Sequence, residues 1–200
     1  MKPIIKAKNI IKLYNGNRIL NGVNLEIYPQ EILVIMGESG AGKTTLLNIL
    51  GQLDGNYEGE VEFSDEIFES CHIPFPFVFQ DSGSLLPWKT VSGNVKMANQ
   101  KITHDDLRDI LESLSLTEHK DKFPYQLSGG MKQRVGIARA LVCNSKVVFM
   151  DEPFSNLDSS LRKKLQELVL LIRKQRGVSV IFVTHDENEA LFIGDRIIRI

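Results

Sequence analysis

Between the apolar run EILVIM (31–36) and the helical pattern TTLLNIL lies the segment GESGAGKTT, residues 37–45. It satisfies the spacing G-x-x-x-x-G-K-[ST] in the strand-loop-helix setting that this pattern requires. Gly37, Gly40 and Gly42 let backbone N–H groups turn inward on a phosphate with no Cβ in the way. The helix that follows adds its positive dipole end. The expected cradle is Gly37, Glu38, Ser39, Gly40, Ala41, Gly42, Lys43, Thr44 and Thr45, with Lys43 a point charge on the β/γ-phosphates and Thr44 a hydroxyl ligand for Mg²⁺. The chemistry implied is nucleotide binding, because a chance glycine-rich turn rarely arrives with strand, spacing and helix together.

Two further stretches complement that loop. KVVFMDEP sets Asp151 and Glu152 at the C-terminal end of a buried apolar strand, the edge where open α/β sheets bind ligands. Strand alternation predicts that the two carboxylates point in different directions. Asp151 then fits the Mg²⁺-holding acid, and Glu152 a general base for the water that attacks the γ-phosphate. LSGGMKQR (127–134) opens a helix predicted to run to about Val142, capped by Ser128, with Gly129 and Gly130 exposing backbone N–H groups. Two phosphate-directed helix ends and one nucleotide loop are reconciled by head-to-tail pairing, one subunit's second loop closing over the nucleotide of the other.

The elements that must hold these residues are legible as short apolar runs: residues 31–36, 76–79, 146–150 and 178–183. Runs apolar on successive residues fit parallel strands covered by helices on both faces, so the class is α/β. From about Leu85 to Leu127 no comparable strand occurs, and Leu107, Ile110, Leu111 and Leu114 share a helical face, which predicts a helical insert. Ile4 to Ile27 reads as an antiparallel hairpin turning at Asn15-Gly16-Asn17.

A chain of 200 residues suits one compact unit. With 24 Lys+Arg against 25 Asp+Glu, an electrostatic grip on nucleic acid or an anionic membrane is not expected. The N-terminus lacks the apolar centre of a secretory signal, and no apolar run approaches the roughly 18 residues of a spanning helix. Cys71 and Cys143 are expected as small core residues in a reducing compartment.

At these motifs the sequence resembles the ATP-binding cassette (ABC) ATPases over essentially its whole length. GESGAGKTT is similar to their Walker A, Gln80 to their Q-loop, LSGGMKQ to their signature, VVFMDE to their Walker B, SNLD (155–158) to their D-loop and THD (184–186) to their switch histidine. The resemblance implies a P-loop NTPase of the ABC type: a RecA-like parallel sheet core with an N-terminal antiparallel β subdomain and an inserted helical subdomain. One domain, 1–200, is expected, its core at about 1–84 and 136–200 and its helical subdomain at about 85–135. It also implies ATP and Mg²⁺ as cofactors, with Glu152, His185, Gln80 and Lys43 catalytic, and Thr44, Gln80 and Asp151 at the metal. Tyr14 matches the aromatic residue that stacks on adenine, and Ser128, Gly129 and Gly130 would cover the nucleotide of a partner copy. Asp158 would shape the seam between copies while capping a helix over residues 160–175. His72, His104 and His119 have no such support and read as surface or packing residues.

FPYQLSGGMKQRVGIARAL, DEPFSNLDSSLR and VTHDENEALFIGDRI are importer-like, and SLLPWKTVSGNV (84–95) resembles a segment of subunits serving nitrate, sulfonate, taurine and thiamine-precursor importers. Pro87 and Trp88 lie where that family receives the coupling helix of its membrane subunit, the alternative being that Trp88 packs inside the helical insert. The expected partners are a transmembrane permease, a second copy of the chain when nucleotide is bound, and an extracytoplasmic solute-binding protein, with no nucleic acid. The expected location is the cytoplasmic face of the cell membrane, reached through the permease. TTLLNILGQLDGNYEGEV resembles lipoprotein-releasing and efflux ATPases, which keeps an exporter as the runner-up; a non-transport ABC ATPase fits less well. The sequence stops at Ile200, sooner after His185 than in most relatives, as a minimal cassette or one lacking a tail.

Overall fold

The structure, a computed structural model, describes residues 2–69, 73–80, 84–155 and 157–200. Strands β1 (Ile5–Tyr14) and β2 (Asn17–Ile27) pair antiparallel with Tyr14 opposite Asn17. The turn is therefore Asn15-Gly16, with φ of 49° and 80°, the left-handed pair of a two-residue hairpin turn; Asn17 already belongs to β2. β3 (Ile32–Met36) leads into the phosphate loop and α1 (Lys43–Leu50), followed by β4 (Glu58–Phe63), the short α2 (Glu66–Glu69) and β5 (Phe77–Val78). Helices α3 (Val91–Ala98), α4 (His104–Ser113) and α5 (Gly129–Val142) come next, with no strand described between them. Alternation resumes with β6 (Val147–Asp151), α6 (Ser159–Arg176), β7 (Ser179–Val183), α7 (Glu187–Ile193) and β8 (Arg196–Arg199).

Two sheets result: an antiparallel one in the order β2-β1-β4 and a parallel one in the order β5-β6-β7-β3-β8. Every residue of β3, β6 and β7 is buried, as expected of strands covered on both faces. Their side chains alternate between two cores. Val34, Val148 and Phe182 face the helices α3 to α6, whereas Ile35, Phe149 and Ile181 face α1 and the antiparallel sheet. Each fully buried Val, Ile or Leu contributes roughly 1.5–3 kcal/mol. The expected α/β class, with its antiparallel flank and helical stretch, is what the chain forms.

β5 is shorter than the predicted strand over 76–79, and aromatic packing fixes its position instead. Phe77 stacks on Phe79 (centroids 5.2 Å apart, planes at 14°) and on Phe149 of β6 (4.8 Å, 11°). At Gly51, which closes α1, a Cβ would lie 2.1 Å from Phe77 Cζ, so that position requires glycine. Cys143 is a core residue at the end of α5, as expected, its Sγ near the carbonyls of Ala98 and Arg139; Cys71 lies outside the described residues. Among the described residues no helix is long and apolar enough to cross a membrane.

Candidate functional site

At the C-terminal ends of β3, β6 and β7 opens a cleft of about 550 Å³. It is bordered by Ser39, Gly40, Gly42, Lys43, Thr44 and Thr45 of the phosphate loop. Gln80, Glu152 and His185 join them from three separate stretches of chain, and Tyr14 stands at the far end. Gly37, Glu38 and Ala41 face the other side of the loop, toward a neighbouring cavity. Their contribution is through the backbone: Lys43 is 6% exposed, and its Nζ donates to the carbonyl oxygens of Gly37 (2.9 Å) and Glu38 (2.8 Å).

The helix ends of the chain are finished in two ways. Thr90, Thr103, Ser128, Asp158 and Asp186 each cap a following helix by accepting from its first backbone N–H groups, one each except for Asp186, which takes two. α1 has Gly42 at its cap position, at φ 95°, and no side chain caps it. Its first N–H groups therefore remain open toward the cleft, which suits an anionic ligand.

Behind the loop, Thr44 Oγ1 donates to Asp151 Oδ2 at 2.8 Å. Burial raises the Asp151 pKa above its ordinary value; the Thr44 hydrogen bond and the Lys43 charge oppose this, while the charge of Glu152 adds to it. The other oxygen, Oδ1, is buried with no hydrogen-bond partner among the described residues. An orphaned carboxylate oxygen beside a hydroxyl is a hard donor set that fits Mg²⁺. Among the described residues no group of three or more His, Cys, Asp or Glu could hold a metal alone.

β6 ends at Asp151, and Glu152 adopts φ 43° while its N–H donates to Val183 O at 3.0 Å. The carboxylates do diverge, but this left-handed turn rather than strand alternation separates them. For a residue with a Cβ such a conformation costs about 1–3 kcal/mol and is characteristic of functional sites. The side chain is held from two sides: His185 Nδ1 lies 3.0 Å from Oε1, and Gln80 Nε2 donates to Oε2 at 3.2 Å. A carboxylate with a glutamine donor on one oxygen and an imidazole nitrogen close to the other, within reach of a phosphate cradle, is placed to accept a proton from water.

Ser128, Gly129 and Gly130 lie apart from this cleft. Ser128 Oγ accepts from Met131 N at 3.3 Å as the predicted cap, and a Cβ built on Gly129 would meet nothing within 4 Å. Asp158 caps α6 through Leu161 N at 2.9 Å, while Asn156 of the same loop lies outside the described residues. Trp88 is 69% exposed and does not pack inside the helical stretch; Pro87 beside it is also exposed. His104 is exposed and His119 half-buried, both remote from the cleft, and His72 lies outside the described residues. Ile19, next to Tyr14 in the cleft wall, escapes sequence reasoning because a lone strand isoleucine reads as core. Lys12 and Asp54, behind Tyr14, escape it too, because the buried positions of β1 shift from Ile5 and Ala7 to Ile10 and Lys12, against simple alternation.

A family model described as ABC transporter matches residues 20–155. An uncharacterized ABC transporter ATP-binding protein of Methanocaldococcus jannaschii is 40% identical over 210 residues, spanning 99% of this chain and 78% of that protein. An aliphatic sulfonates import ATP-binding protein of Agrobacterium fabrum is 37% identical over 187 residues, spanning 94% of this chain and 72% of that one. Among solved structures, a dimeric ATP-binding cassette in a post-hydrolysis state, bound to ADP and Pi, superposes with a TM-score of 0.82 at 36% identity, covering 98% of this chain and 94% of the other.

Proposed function

The chain belongs to the ABC transporter family as an ATP-binding subunit with that family's P-loop NTPase fold, and from this premise we propose a working cycle. It binds Mg-ATP, pairs head to tail around two nucleotides, hydrolyses them and reopens. The cycle energises import of a small solute through a separate membrane permease, on whose cytoplasmic side the subunit sits, with an extracytoplasmic binding protein delivering the solute.

One observation carries the catalytic part: the Glu152 carboxylate stands between Gln80 Nε2 and His185 Nδ1 at 3.2 and 3.0 Å, beside the open end of α1. The α1 amides and Lys43 bind the phosphate chain, and Tyr14 stacks the base. Glu152 takes the proton of the attacking water, Gln80 orients that water, and His185 steadies the charge that develops on the γ-phosphate. Thr44 and Asp151 would hold Mg²⁺, which neutralises phosphate charge when bound. Ser128, Gly129 and Gly130 lie away from their own chain's cleft, which supports their use by a second copy; the dimeric state of the superposing cassette supports the same arrangement.

The sulfonate import relative supports the import direction, and the exposed Pro87-Trp88 pair supports contact with the permease. Glu152→Gln tests the reading: the variant keeps ATP binding, loses turnover and runs as a dimer on a sizing column with Mg-ATP. A variant that stays monomeric under those conditions would count against the shared-site cycle. Co-reconstitution of the subunit with a candidate permease and binding protein, followed by ATP-driven solute uptake into vesicles, tests the direction.

A further inference from the structure

Lys12 is 4% exposed, an unusual burial for a lysine, and it does not reach the phosphate loop. Its ammonium spends its donors locally, on Asp54 Oδ1 (2.9 Å) and Oδ2 (2.7 Å) and on the carbonyl of Asn56. The same Nζ lies 4.9 Å from the centroid of the Tyr14 ring, and the Tyr14 hydroxyl donates to Asp54 Oδ2 at 3.2 Å. Asp54 is fixed in turn: Leu53 N and Asp54 N both donate to Asn48 O of α1, at 2.8 and 3.2 Å, and Asn56 N donates to Asp54 Oδ1 at 3.0 Å. The Lys12 hydrogen bond, followed by that of Asn56, lowers the Asp54 pKa, so its carboxylate stays ionised at neutral pH.

Tyr14 needs such a device. It is the last residue of β1, 48% exposed, with a hairpin turn directly after it. Its backbone is set by the hairpin, but no packing shell fixes its ring, and an exposed aromatic ring samples several rotamers. A cation against the ring and a carboxylate on its hydroxyl restrict it to one. Resting on the nucleotide reading above, we infer that Lys12 and Asp54 are positioning residues that hold the Tyr14 ring across the mouth of the cleft, ready to stack the base of the bound nucleotide.

α1 begins with the phosphate-facing Lys43 and Thr44, and its Asn48 carbonyl anchors Asp54, so one short helix sets the distance between the phosphate and base ends. Preorganisation of this kind lowers the ordering cost of binding and leaves the chemical step alone.

The test separates base from phosphate by comparing ATP with Mg-tripolyphosphate, a competitor that has no base. Lys12→Met is expected to raise the KM for ATP about ten-fold with kcat within about two-fold, and to leave the Ki of tripolyphosphate unchanged. Lys12→Arg, which keeps the cation, should recover most of the loss. Tyr14→Phe removes only the bond to Asp54 at an exposed position and is expected to raise KM about three-fold; it decides the matter if Lys12→Met does not fold. Equal weakening of ATP and tripolyphosphate, or an unchanged ATP KM in both variants, overturns the positioning role. A native protein that binds neither ligand overturns the nucleotide reading itself.

Discussion

Two glycine-bearing loops run into helices in this chain, and they are finished in opposite ways. The loop before α1 has no side-chain cap, backs onto Asp151 through Thr44, and opens into a cleft walled by Gln80, Glu152 and His185. The loop before α5 is capped by Ser128, stands exposed and has no wall. Their glycines differ in the same sense. Gly42 is demanded by its own chain, since it sits at φ 95° and a Cβ there would lie 2.9 Å from both Ile19 Cγ2 and Leu20 Cδ2. Gly129 is demanded by nothing among the described residues of its own chain, where a Cβ would meet open space. A helix end becomes a complete binding site only when other elements close around it, and a glycine without an internal reason points to an object outside the chain.

The contrast can be broken from either side. The largest effect is expected at the walled end, where Glu152→Gln should lower kcat by about 10²–10⁴-fold with little change in ATP affinity, measured by steady-state turnover and nucleotide titration. At the unwalled end, Gly129→Glu should cut turnover roughly 30-fold by setting a carboxylate against a partner's nucleotide. Its melting temperature should stay within about 1 °C, because the added side chain meets nothing in its own fold. Loss of stability in that variant would erase the distinction between the two loops. Gly42→Ala should behave conversely, destabilising the isolated chain by about 2 kcal/mol, or roughly 4–8 °C in a thermal melt. The smallest effect on the isolated subunit belongs to Trp88→Ala: basal ATPase within about two-fold and an unchanged melt, with solute transport lost once the permease is present.

The sequence makes the walled end readable and the details of its geometry less so. β3, β6 and β7 announce themselves because burial on both faces leaves almost only apolar residues, and the loop after β3 carries its chemistry in fixed spacing. β4, reading EGEVEF, and β8, reading RIIR, escape notice because short strands with an exposed side carry too many charges to stand out. The left-handed backbone at Glu152 leaves no trace in composition, since glutamate is an unusual choice for it. The buried Lys12 is hidden by an irregularity of β1: Asn9 at φ 50° shifts the inward parity from Ile5 and Ala7 to Ile10 and Lys12, so simple alternation predicts the wrong face. Spacing reports which atoms are needed, and only backbone geometry reports where they face.

The stacked rings of Phe79, Phe77 and Phe149 have a mechanical consequence. Near-parallel aromatic planes resist compression along their normal, where repulsion rises steeply. The stack therefore acts as a strut set directly before Gln80, tied to β6 by the pairing of Phe77 with Phe149 and braced against the end of α1 at Gly51. Close-packed rings between a buried sheet and the end of a helix leave no void to absorb strain, so the base from which Gln80 projects is stiff.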